Sequence, residues 1–387
     1  MTTIISGSSP SITFSDTTTQ TTAYQNSATV SVNAQNTFGF KNRIINGGMV
    51  IDQRNAGSAY TAVANNQYTL DRWVTSVSQA SKMNVQQNAN SITPPIGFSN
   101  YLGITVGTAV TPLASGDYFQ IMQKIEGFNS ADLAYGTANA KTITLSFWVY
   151  SNLTGTFGGG LSNNNQSRTY PFSYTISSAG TWEQKTITIA GDTSGSWIGA
   201  TNGIGLWVNF GLGTGTTYSG TAGSWSSSLY VNVTGNTNVM ASTSNYWYAT
   251  GVQLEVGTQA TSFDFRDYGR ELILCQRYFQ TTYPPSSAVG TSSTLNLSIE
   301  TISQATTSYL PIGWNMPVVM RTAPTATLYN PSTGSSSASN NIYQTSGVSQ
   351  PSAQANVSQN AVLFYVNGVS IASGAAIEGH FGVSAEL

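Results

Sequence analysis

The 387-residue sequence predicts an all-β protein: a large β-sandwich, one short connecting helix, and a small β-domain after it. Three observations carry this. Apolar and polar residues alternate in short runs separated by Gly, Asn, Ser and Pro, the period of strands with one buried face. A helical period stands out once, where Tyr268, Leu272, Cys275 and Phe279 recur at spacings of four, three and four. The composition supplies a core without a charged coat: 40% of residues are hydrophobic and 11% aromatic, while 7% are charged, against roughly 25% in typical soluble proteins.

Residues 1–40 contain no long apolar segment and read as an attachment or oligomerisation segment. From 41 to 265 the chain has the length of a single large sandwich. Strands are predicted at Leu102 to Val106, Tyr118 to Ile125, Thr142 to Tyr150, Tyr170 to Ile176, Lys185 to Ile189, Ile204 to Phe210 and Leu229 to Val233. The run from Tyr246 to Val256 is the closing strand, with Tyr246, Tyr248, Thr250, Val252, Leu254 and Val256 assigned to one face, and Gly257 ends it. A connecting helix fills 266–280 with Asp267 as its N-cap. Tyr283-Pro284-Pro285 then marks a linker to a β-domain over 281–387. There Leu295, Leu297 and Ile299 alternate with polar residues, and Val362, Phe364 and Val366 share one parity. The Ser-, Asn- and Gln-rich stretch from Ser332 to Asn360 reads as a long surface loop. Ile377 to Leu387 alternates strictly, placing Phe381 and Val383 inward, with Glu378 and His380 at the surface or a subunit contact.

Several stretches resemble a module common in phage virion fibres and tail-associated proteins. They are Asn42 to Asn55, Tyr68 to Trp73, Lys141 to Tyr150, Gly203 to Phe210, Gly251 to Gly257 with Phe263 and Phe265, and Glu271 to Phe279. The resemblance covers residues 42–279 and implies a jelly-roll sandwich similar to carbohydrate-binding modules. Ile12 to Ala23 resembles a fibre hairpin, although Thr17 stands where the usual tight turn has glycine. A primed turn needs positive φ there, so a longer or different turn is expected. Met320 to Thr325 resembles an edge strand of the domain that often follows the module. The resemblance further implies a homo-oligomer, a trimer as in fibres, with other virion proteins and host-surface glycans as partners.

Nearly half of the charged residues fall within 41–72 and 255–277. Arg43, Asp52, Arg54, Asp71, Arg72, Arg266, Arg270 and Glu271 are therefore expected to form structural ion pairs joining the first strands to the closing strand and helix; an active site is the rival reading. The aromatic pattern suggests a binding face. Trp148 and Tyr150, Trp207 and Asn209, and Trp247, Gln253 and Glu255 each oppose an aliphatic face on their own strand. A tryptophan cluster opposite the core could stack on sugar faces while the amides and the carboxylate bond hydroxyls. Coverage of the same rings by a loop or neighbouring subunit is the bland alternative.

A net charge of -2 with no basic run leaves phosphate attraction nothing to work with, so nucleic-acid binding is not expected. No window of about 18 apolar residues occurs, so no membrane insertion is expected. Cys275, the only cysteine, lies on the helix stripe and reads as a buried thiol. His380 is the only histidine, so a Ser-His-Asp or Cys-His device would have to use it, while Cys275 lies on a helix stripe in another part of the chain, and zinc sites built from His and Cys clusters are excluded. No cofactor is expected, and no Asp-rich calcium loop occurs. Fifteen acids leave a carboxylate-pair glycosidase open, though none marks a pair. The reading is a non-enzymatic virion fibre or appendage protein of a tailed phage, assembled in the host cytoplasm. A head-decorating or adaptor protein and a polysaccharide depolymerase are the alternatives.

Overall fold

The computed structural model describes residues 12–13, 19–20, 40–61, 63–292, 298–344, 347–366 and 368–387. The chain forms two compact units, Met1–Lys41 and Asn42–Leu387. In the first, β1 (Ile12–Thr13) and β2 (Thr19–Gln20) pair antiparallel. The turn around Thr17 lies outside the described residues, as do Leu295 and Leu297.

The second unit begins with a sandwich. Its strands are β3 (Tyr68–Leu70), β4 (Trp73–Val77), β5 (Met83–Gln87), β6 (Leu102–Val106), β7 (Tyr118–Glu126), β8 (Ile143–Ser151), β9 (Gly155–Ser162), β10 (Thr169–Ile176), β11 (Glu183–Ile189), β12 (Ile204–Thr214), β13 (Ser219–Gly220), β14 (Asn232–Val233) and β15 (Tyr246–Val256). One sheet has the order β10-β9-β12-β7-β4-β3, the other β11-β8-β15-β6-β5. Their inner faces interdigitate side chains such as Phe119, Phe147, Phe157, Phe210, Leu254 and Trp247 into one core. The short parallel pair β13 and β14 lies over the six-stranded sheet, where glycines make room: a Cβ on Gly158 or Gly211 would meet the Asn232 side chain at 2.6 Å or 2.2 Å.

Asp267 caps the helix α1 (Tyr268–Gln276), its side chain accepting from the Arg270 N–H at 2.9 Å. Cys275 and Glu271 are buried, whereas Tyr268 is exposed; the expected four-residue stripe stops short because Phe279 already belongs to the next strand. That strand and its successors are β16 (Phe279–Thr281), β17 (Ile299–Ile302), β18 (Pro311–Asn315), β19 (Thr325–Tyr329), β20 (Ile342–Gln344), β21 (Val348–Gln350), β22 (Ser352–Val357), β23 (Ala361–Val366) and β24 (Ala376–Ser384).

Three expectations are corrected here. The 332–360 stretch is not one surface loop: it holds β20, β21 and β22, anchored by buried Ile342 and by Asn330, whose amide donates to the Asn340 and Ile342 carbonyls. The edge strand begins only at Thr325, with Met320 buried just before it. Glu378 and His380 are buried rather than exposed, because β24 is a central strand paired with β16, β17, β19 and β20 and covered on both faces.

Candidate functional site

The outer face of the five-stranded sheet carries an aromatic floor. Tyr150 of β8 stands beside Tyr248 of β15 across the ladder, and Tyr246 follows two residues before Tyr248 on the same face. Their ring planes are nearly parallel, at 3° to 19°, with centroids 5.0 to 5.9 Å apart. Trp182, just before β11, sits 5.2 Å from Tyr150, and Tyr101 packs against both Trp182 and Tyr248. Tyr101 and Tyr248 are buried; Tyr150, Trp182, Tyr246 and, further along β8, Trp148 are half-buried. Gly103 on β6 leaves space beneath the floor, since a Cβ there would lie 2.5 Å from Ala89 Cβ.

The segment between β5 and β6 fixes these rings by their polar ends. Asn90 Nδ2 donates to Tyr248 Oη at 2.6 Å, the Ile92 N–H donates to Tyr101 Oη at 2.8 Å, and Trp182 Nε1 donates to the Thr93 carbonyl at 2.8 Å. Burial pushes Tyr248 up to about 12, and Tyr246 and Tyr101 are raised for the same reason. The face is therefore a neutral one of rings, hydroxyls and amides at ordinary pH.

The predicted single tryptophan cluster does not form. Trp247 is in the core, its Nε1 donating to Tyr174 Oη at 3.0 Å. The reason is a bulge: Thr250 pairs with Trp148 and Gln253 with Ser146, so β15 uses three steps where β8 uses two, and parity reverses at Gly251. Trp207 and Asn209 belong to the other sheet, where Trp207 lies under Lys124, 4.8 Å from the ring centre, and Asn209 donates to the Val231 carbonyl at 2.6 Å. Gln253 and Glu255 share the outer face of β15 but are fully buried. Glu255 accepts from Gln253 Nε2, the Thr261 N–H and Thr261 Oγ1, and Gln253 Oε1 accepts from the Asp264 N–H, which fastens the 257–265 segment over them. Of the seven residues expected to contact glycan, Trp148, Tyr150 and Trp207 are half-buried, the first two on this face and Trp207 on the other sheet, and the remaining four are buried. Tyr101, Trp182 and Tyr246 were missed. The parity of the predicted Lys185 to Ile189 strand, carried back three residues, reaches Trp182, which the register of β11 on β8 brings opposite Tyr150.

The charged residues form several linked groups. Arg43 pairs with Asp132 at 2.7 Å, and Arg266 pairs with Glu271 at 3.2 Å and Asp264 at 3.5 Å. Arg54 and Arg72 both pair with Glu386, Arg54 at 2.8 Å. Asp52 and Asp71 serve the backbone instead: Asp52 accepts from the Asn55 and Gly57 N–H groups, and Asp71 from the Gln53 N–H and Nε2. Arg270 stands apart with an exposed side chain. Arg277 and Glu126 make a two-pronged pair at 2.9 and 2.6 Å that sequence reasoning did not anticipate. A cleft of about 350 Å³ beside α1 is lined by Asp52, Tyr268 and Tyr283, but its carboxylate is already occupied as above. Among the described residues no group of three or more His, Cys, Asp and Glu side chains is placed to hold a metal ion, and no helix is long and apolar enough to cross a membrane.

No family model matches the chain, and no curated protein matches it. Solved structures do match. The enzymatically active domain of tailspike protein 4 from bacteriophage CBA120 is 13% identical, the match covering 56% of this chain and 21% of that one at a TM-score of 0.31. A CBM4 structure is 16% identical, covering 55% of this chain and 98% of that one at 0.27. A third structure, of a protein from Bacteroides thetaiotaomicron, is 10% identical, covering 56% and 100% at 0.31. The chain spans about a fifth of the tailspike chain, and what it shares with the carbohydrate-binding modules is the β-sandwich class.

Proposed function

We propose that this chain is a non-enzymatic fibre or appendage protein of a tailed phage whose five-stranded sheet binds neutral glycans on the host surface. The observation that carries the binding reading is the half-open ladder of Tyr150, Tyr246 and Tyr248 with Trp182 at its end. Rings locked by packing offer apolar area to sugar faces with little entropy left to lose. Exposed Gln184 and half-buried Trp148, neighbours across β11 and β8, extend the same face with an amide. The virion setting, with a trimeric homo-oligomer, other virion proteins as partners and assembly in the host cytoplasm, rests on the residue matches across 42–279.

Glycan-array screening of the full chain followed by titration tests the reading. Trp182→Ala and Tyr246→Ala are each expected to weaken binding about tenfold, equivalent to roughly 1.4 kcal/mol. Binding by neutral contacts should also change little between about 50 mM and about 500 mM salt, because screening acts on charges. A blank array, or a steep salt dependence, sinks the glycan reading. A second reading, an assembly contact in an adaptor or head-decorating protein, is favoured by the exposed Ile96 and Phe265 near Phe98 at the border of this face. Binding to virion proteins alone would select it, and release of sugar reducing ends would instead select the depolymerase.

A further inference from the structure

We propose that the outer face of the six-stranded sheet holds a second, separate site for a neutral saccharide, centred on Gln120. A recess of about 120 Å³ opens there between Ser76 of β4, Tyr118 and Gln120 of β7, Gln166, and Tyr218 and Leu229 of the segment that carries β13 and β14. The sheet builds it directly. Ser76 and Gln120 are cross-strand partners, and Gln120 faces Gly211 on its other side, so no β12 side chain covers the amide. The overlying segment stops at Tyr218, whose ring meets Tyr118 edge-on at 5.4 Å and forms one wall.

Gln120 is 4% exposed, and its Nε2 donates to Ser76 Oγ at 3.2 Å, while its buried Oε1 has no donor among the described residues. A buried carbonyl without a donor is costly unless something supplies one. A hydroxyl suits this position in particular, because it both donates and accepts and so serves whichever end of the amide faces it. No lining residue is charged, which selects a neutral ligand over a uronate or phosphate. Half-buried Gln166 and Ser76 offer further hydrogen bonds, and the tyrosines offer apolar walls. The volume matches about four waters at roughly 30 Å³ each. It thus admits the hydroxyl-bearing edge of one sugar ring and leaves the remainder at the mouth.

The test is saturation-transfer NMR on the full chain with glucose, galactose and N-acetylglucosamine as separate probes. Four proteins are compared: wild type, the sheet-face double variant Trp182→Ala/Tyr246→Ala, and that double variant carrying in addition Gln120→Met or Tyr218→Ala. Transfer from at least one sugar is expected to survive in the double variant and to fall about tenfold when either recess substitution is added, with melting temperatures confirming that each is folded. Tyr218→Ala keeps the proposal falsifiable should Gln120→Met not fold. Transfer that vanishes in the double variant, or that neither recess substitution changes in that background, overturns the second site. Absence of transfer in every protein does so too, leaving water as the occupant. Failure of the tyrosine face alone would appear differently, as wild-type transfer that the double variant leaves undiminished.

Discussion

His380 has no exposed surface, its ring stacked on Tyr283 at 4.1 Å and its Nδ1 3.0 Å from Thr282 Oγ1. Burial pushes its pKa down to about 4. The folded state therefore takes up the proton less readily than the unfolded chain, whose histidine titrates near 6.5, and stability falls as pH drops from about 6.5 to about 4. Asp71 runs the other way in the same window. Burial raises it to about 7, so its contribution favours the fold at low pH and is lost as pH rises from about 4 to about 7. A wild-type stability profile mixes the two, and the difference against His380→Gln separates them. Denaturant midpoints at pH 7, 5.5 and 4.5, chosen as about one step each across the window, should fall less steeply in the variant. Equal slopes would mean that the imidazole does not titrate against the fold.

At the scale of an element, β15 owes the assignment of its two faces to one glycine. Gly251 has φ of 61°, and a Cβ there would lie 2.6 Å from Phe98 Cζ and 3.1 Å from Trp148 Cδ1. The bulge it permits lets the Val252 N–H reach the Gly47 carbonyl at 3.0 Å. It also places Trp247 inside and Tyr246 and Tyr248 outside while Val252 and Leu254 still face the core. Gly251→Ala is expected to cost about 2 kcal/mol, combining left-handed strain of roughly 1 to 2 kcal/mol with displacement of Phe98. Gly199→Ala, at a position with open space around it, should stay within about 0.5 kcal/mol. Urea titration followed by tryptophan fluorescence distinguishes them, and equal midpoints would show that the bulge is not what holds the face in register. This strand also shows what the sequence could convey. Alternation revealed that it exists and where it ends, but period two cannot carry parity across an inserted residue. The interior glycine was the available signal. Elsewhere the pattern was erased: β9 reads Gly-Thr-Phe-Gly-Gly-Gly-Leu-Ser, its glycines kept small by backbone and Asn232 lying against them. In β24 alternation assigns Glu378 and His380 to an open face, but the strand is buried on both faces, so period two carries no sign of which side is covered.

Across the whole 42–387 unit, the last residues of the chain reach back into the sandwich. Glu386 is clamped between Arg72 and Arg54, whose side chains are 1% and 14% exposed, and the guanidinium groups lie 3.5 Å over Tyr278 and 3.8 Å over Phe279. Lys124 Nζ and Tyr68 Oη donate to the Leu387 carbonyl at 2.7 and 2.8 Å, and Arg321 holds the Ala385 and Glu386 carbonyls at 2.8 and 2.9 Å. Strand β24 is the centre of its sheet, and burying Phe381 alone contributes about 2 to 3 kcal/mol. Deletion from Gly379 onward should therefore open residues 299–378 to limited proteolysis. The sandwich core does not draw on those residues, so a resistant fragment beginning near Asn42 should persist. Its stability should nevertheless fall, because Arg72 would be left buried without its carboxylate, a loss on the order of 3 to 5 kcal/mol when one partner of a buried pair is removed. Glu386→Gln isolates that second effect: it should lower the melting temperature of the sandwich while β24 remains protected from protease. If the truncated chain keeps a protease-resistant sheet at 299–378, β24 is dispensable. If Glu386→Gln melts with the wild type, the clamp joins the two sheet systems in space without coupling their stabilities.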